Sequence, residues 1–180
     1  MVSALIKQYW NVALLKHSPE NTPYSVGLLW AFALLFYLVV ISQWSMVQIN
    51  QPTELPTVVF SALMLCFSYA LYNYILLLVF KLKPRFVQTL TCMFATHTII
   101  HIMSYPLLAA TPYLATGASK GPIAFMFMSV YLLMTILLTA WQLMVTVFIY
   151  KQSLNLDNLA AILATIGMFA TNIIVVSVVR

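Results

Sequence analysis

Five runs of apolar residues, each close to the ~20 residues a membrane-crossing helix needs, alternate with short polar breaks along this chain. The runs are Tyr24–Val47, Thr57–Phe80, Phe86–Ala110, Ile123–Tyr150 and Leu159–Val179. The breaks read INQPTELP, KLKPR, TPYLATGASKGP and KQSLNLDN, each with Pro, Gly, Asn or charge. Runs so long and so uniformly apolar do not suit barrel strands, which alternate and are about half that length. The pattern predicts an all-α polytopic membrane protein with five transmembrane helices in one bundle, spanning residues 24–179.

Residues 1–18 have a different period. Val2, Leu5, Ile6, Tyr9 and Val12 recur at helical spacing against a stripe of Ser3, Lys7 and Asn11. That predicts an interfacial amphipathic helix on the membrane surface, with Tyr9 and Trp10 at headgroup level. Lys16 and His17 stand where a cleavable signal would need its apolar core or cleavage site, so the segment is read as retained. Pro19 and Pro23 then break it.

Composition sharpens the class. Of 180 residues, 63% are hydrophobic and 6% are charged, against about 25% charged in a soluble domain. Eight bases and three acids give a formal charge of +5. In a soluble protein this would suggest nucleic acid. Here the bases fall in the breaks, so the charge is topological and no nucleic-acid partner is expected. Lys7, Lys16, Lys81, Lys83, Arg85 and Lys151 fall on one side, and Lys120, Arg180 and Glu54 on the other. The positive-inside rule then puts the N-terminus in the cytoplasm and the C-terminus outside.

The candidate chemistry is sparse. His97 and His101 lie four residues apart, on one face of the third run. Such a pair can share a metal, but a site needs further ligands, and no Asp or Glu falls in any run. Haem would need a ligand from a partner chain or a weak methionine, since His17 is outside the runs. The other reading is structural: neutral rings, because lipid disfavours the imidazolium, bonded to Tyr69 or Asn172. With Tyr69, Asn73, Gln142 and Asn172, the histidines form a candidate polar seam uniting the second to fifth runs. Tyr69, Tyr72 and Tyr74 cannot all face one way at their spacing, so one should point outward.

Pro106 should kink or end the third helix, and the following TPYL favours an ending. Ala160, Ala164, Gly167 and Thr171 make a small-residue stripe on the fifth run, suited to close helix packing within the chain or in a dimer. Asp157 and Asn158 suit the cap before it. Cys66 and Cys92 fall at different depths, which disfavours a disulfide.

The join LLKHSPENTPYSVGLLWAFALLFYLVV resembles small inner-membrane proteins of proteobacteria, themselves loosely similar to the Yip1-like family. Pro19, Pro23, Tyr24 and Ser25 carry the likeness, over the first quarter of the chain. It implies about five spans, a cytoplasmic N-terminus and a bacterial inner-membrane location; it implies no activity and no site residues.

No run contains a lysine, a phosphate-binding glycine loop, a nucleophile elbow or a carboxylate to couple ions. The sequence therefore predicts a non-catalytic protein without a cofactor, an accessory, assembly or scaffolding subunit that meets lipid and other membrane proteins or itself. Two alternatives stay open: a metal- or haem-carrying redox subunit using His97 and His101, and a small-molecule or lipid carrier with a mid-bilayer polar cavity. The topology has its own test. In spheroplasts and inverted vesicles, an impermeant thiol reagent should reach Lys83→Cys from the cytoplasm and Glu54→Cys from outside. Labelling of Glu54→Cys from the cytoplasm alone would overturn the orientation.

Overall fold

A computed structural model of the chain describes residues 2–47, 55–117 and 121–179; Lys120, Arg180 and Glu54 lie outside these residues. Six α-helices and two short 3-10 turns account for the described residues, with no strand among them. The helices are α1 (Val2–Ala13), α2 (Val26–Val47), α3 (Leu55–Val79), α4 (Phe86–Gly117), α5 (Pro122–Leu154) and α6 (Asn158–Val179). The last five are long and apolar enough to cross a membrane.

Helix α4 is the centre. Every residue from Thr89 to Thr98 is buried, and α1, α2, α3 and α5 pack against it. In the membrane-length window of α4, 67% of residues are buried, against 17–33% in the other four. Its mean hydropathy is also the lowest, 1.2 against 1.9 to 2.3. The two facts share a cause. A helix enclosed by protein can carry hydroxyls and imidazoles, because neighbouring helices supply bonds that lipid cannot. Helix α6 packs instead on α3 and α5.

Helix α1 joins the bundle through Tyr9, Val12 and Ala13, all essentially buried. The Tyr9 ring meets Phe32 edge-on, centroids 4.8 Å apart, and Trp141 Nε1 donates to the Ala13 carbonyl at 2.8 Å. Burial holds the Tyr9 phenol well above its ordinary range. Ile6, expected on the same face, is 59% exposed. Ile6 lies on the same side of the helix as Ala13, seven residues on, but only the C-terminal part of α1 is buried against the bundle.

The linker after α1 lies along the start of α4. Gln88 donates to the Thr22 carbonyl at 2.8 Å, and the Thr22 hydroxyl touches the Cys92 thiol at 3.5 Å. Arg85 pairs with Glu20 and donates to the Ser153 carbonyl at 3.0 Å. That side chain ties the linker, the start of α4 and the end of α5 together. Both cysteines are free thiols.

Helix α4 does not end near Pro106 as the sequence suggested; it runs through Pro106 and into TPYLATG, to Gly117. Proline has no N–H, so the Ile102 carbonyl four residues back loses its helical donor, and the carbonyl beside it, of His101, carries side-chain bonds. The His101 carbonyl accepts from both Gln43 Nε2, at 2.5 Å, and Ser104 Oγ, at 2.8 Å. With 32 and 33 residues, α4 and α5 exceed the 22 to 25 of α2, α3 and α6.

The small-residue stripe of α6 is occupied from within the chain. Tyr72 of α3 donates to the Ala164 carbonyl at 2.8 Å, beside Gly167. Ala160 and Thr171 are half-buried along the same edge. Asp157 caps α6 by accepting from the Ala160 N–H at 3.0 Å. Of the three clustered tyrosines, Tyr69 is buried, Tyr72 faces α6 and Tyr74 points outward, 44% exposed.

A Cβ on Gly167 would lie 2.3 Å from the Tyr72 hydroxyl oxygen. Gly167→Ala should therefore destabilise the bundle by about 1–3 kcal/mol, the usual range for overpacking. Tyr72→Phe removes the clashing atom and should recover part of that loss. Thermal unfolding in detergent of the two single variants and the double variant checks this; purely additive losses would show that the two residues do not meet.

Candidate functional site

The polar groups expected to form one seam fall into three separate connections. The first centres on His97, which is fully buried. Its Nδ1 lies 2.8 Å from the Tyr69 hydroxyl and its Nε2 lies 2.9 Å from Thr146 Oγ1. The Thr146 hydroxyl proton is already directed at the Gln142 carbonyl, at 2.8 Å. Thr146 must then accept from His97, so the ring carries its proton on Nε2. That leaves Nδ1 as the acceptor for the Tyr69 O–H, with Gln142 Nε2 more distant at 3.4 Å. Both ring nitrogens are thus used by protein, from α3 and α5.

The second connection is His101 with Gln43 of α2. Gln43 Nε2 donates to the His101 carbonyl and to Ser104 Oγ, the latter at 2.9 Å. Its Oε1 therefore faces His101 Nδ1, at 2.6 Å. An amide oxygen only accepts, so His101 carries its proton on Nδ1. The two histidines of one helix are held as opposite tautomers by different neighbours. Among the described residues, nothing bonds His101 Nε2.

The third connection joins α3 to α6, where Ser68 donates to Asn172 Oδ1 at 2.8 Å. Asn172 is thus Ser68's partner and takes no part in the histidine bonds. Asn73 stays local: its amide donates to the Tyr69 carbonyl at 2.8 Å, and its Oδ1 is buried without a partner. Gln142 reaches the His97 ring, so Asn73 and Gln142 do not meet directly.

Aromatic rings fill the space between the connections. Phe36 touches Tyr69, Phe94 and His101 with centroids 5.4 to 5.5 Å apart. The Tyr69 and His97 rings meet edge-on at 5.4 Å. Edge-on and tilted rings fit the aromatic quadrupole, and they fix the histidines sterically as well as by hydrogen bonds.

The sequence singled out His97, His101 and Tyr69 but missed Gln43, Thr146 and Ser68. Gln43 carried a signal, being an amide inside the first apolar run. Thr146 and Ser68 carried almost none, because most hydroxyls in these helices bond back to their own backbone.

Among the described residues, no three His, Cys, Asp or Glu side chains converge on a point where a metal could sit. His97 has no nitrogen lone pair left for a ligand unless Tyr69 releases it. The arrangement can hold helices together and can offer one imidazole lone pair, at His101.

If His97 is bonded as described, His97→Leu orphans the Tyr69 hydroxyl in the core. The loss should be about 1–3 kcal/mol. The double variant Tyr69→Phe/His97→Leu should cost about 1 kcal/mol less than the two single losses added together. Unfolding in detergent measures the cycle, and zero coupling would remove the bond from the account.

The chain matches no protein-family model, no curated protein and no solved structure.

Proposed function

We propose that the chain is an integral membrane protein without catalytic chemistry of its own, an accessory, assembly or scaffolding subunit that binds other membrane proteins through its helix faces. One observation carries this reading: the outer side of the first half of α5 is mainly apolar and is left uncovered. Phe125, Phe127, Leu132 and Leu137 are each more than half exposed, while Tyr131, Thr135 and Leu138 turn toward α4. At 33 residues, α5 is about 50 Å long, well over the ~30 Å of a hydrocarbon core. An apolar excess of that size is relieved by tilt or by association with other helices.

The bacterial inner membrane, with the basic end of the bundle in the cytoplasm, is part of the same proposal. It draws support from the charge distribution and from the resemblance at Pro19–Ser25. The metal or haem reading loses support, because His97 has both nitrogens in protein bonds and, among the described residues, no three His, Cys, Asp or Glu side chains converge.

Photocrosslinkers placed at Phe127 and Leu133, in cells, test the proposal. The expected product is a discrete adduct with another membrane protein, identified by mass spectrometry. Adducts with lipid alone at both positions would sink it, as would stoichiometric haem, copper or zinc in the purified protein that is lost in His97→Ala or His101→Ala.

A further inference from the structure

Beside His101, between α4 and α5, lies a cavity of about 130 Å³. An aliphatic cavity of about that size stays dry and accepts a benzene ring. This one is different in its lining. His101, Ser104, Tyr131, Thr135, Thr139 and Gln142 reach it, together with four aliphatic side chains.

Counting protons shows what the lining offers. The Thr135 and Thr139 hydroxyls donate to the carbonyls of Tyr131 and Thr135, both at 2.9 Å. The Ser104 hydroxyl donates to the His101 carbonyl. His101 directs its N–H away, at Gln43, so the Nε2 lone pair is its free group. Ser104 Oγ already accepts from Gln43 and the Gln142 amide brings N–H donors, so the acceptors left open are the Thr135 and Thr139 hydroxyl oxygens and His101 Nε2. No lining residue is charged. A cationic donor would bring a charge that nothing there compensates, whereas a neutral O–H would meet acceptors that otherwise lack a partner.

The mouth defines the rest of the ligand. Thr139 is exposed at the bundle surface, flanked by the exposed side chains of Ile136 and Leu137. A molecule entering there passes over apolar surface before it reaches His101.

We propose that the cavity between α4 and α5 is a binding site for a neutral, single-ring hydroxyl donor with an apolar tail, of the phenol or hydroquinone class, whose O–H donates to His101 Nε2, with Thr135 and Thr139 lining the same cavity. The cavity opens beside the exposed flank of α5 at Leu137, and its test needs no partner protein.

The test uses the full chain in phosphatidylcholine nanodiscs, with 4-decylphenol and its methyl ether 4-decylanisole as probes. The two share ring and tail and differ in the donor. Equilibrium dialysis should show saturable one-to-one binding of the phenol, and binding of the anisole about tenfold weaker, the worth of roughly one hydrogen bond. His101→Asn keeps an N–H toward Gln43 and removes the Nε2 acceptor. It should weaken phenol binding about tenfold and leave anisole binding unchanged. Equal binding of the two probes would overturn the proposal. So would uptake that matches empty nanodiscs, or a His101→Asn variant that melts normally and binds the phenol as before. The wild-type comparison decides the matter even if the variant does not fold.

Discussion

Enclosure of the ten residues Thr89–Thr98 by protein on every side is the condition on which the rest of this bundle depends. In lipid, a buried hydroxyl or imidazole without a partner costs several times what the same group costs at a wet surface. His97 and three of the four threonines in this stretch, Thr91, Thr96 and Thr98, are answered by Tyr69, Thr146 and the helix's own carbonyls; the Thr89 hydroxyl is buried without a partner. The neighbours are placed accordingly. Helix α2 lies along α4 with Phe36 and Gln43 at the level of the histidines, α3 brings Tyr69, and α5 brings Thr146. Helix α6 has no polar group to answer on α4 and takes the outer position, against Tyr72 and Ser68.

The same condition explains what the sequence disclosed and what it withheld. Helix number and class were legible, because a run of apolar residues long enough to span is a signal of length and composition that needs no partner. His97 and His101 were legible as unusual. Their surroundings were not, because which rings meet depends on how adjacent helices are staggered. Four-residue spacing puts both imidazoles on one face, which suggested one shared site. An enclosed helix has neighbours all round that face, and the two rings reach different ones. Pro106 misled as well. A proline removes one ladder bond, to the carbonyl four residues back, and does not by itself end a helix; α4 runs on to Gly117. The lower hydropathy of the third run was a usable sign of its central place, since a helix facing lipid on several sides could not carry those residues.

Tyr72 and Gly167 show how the small-residue stripe was resolved. Small residues permit close approach without saying what approaches. Here it is a phenol from α3, whose hydroxyl doubles onto the Ala164 carbonyl. The stripe thereby serves cohesion within the chain.

The central position of α4 also bears on the order in which the chain assembles. Synthesis from the N-terminus presents α2 and α3 before α4, so Gln43 and Tyr69 are already in place when the two histidines arrive. Thr146 comes only with α5. Until then His97 has a partner on one side alone, and the least apolar of the five long helices lacks part of its enclosure. Helix α5 is therefore the element that closes the bundle around α4.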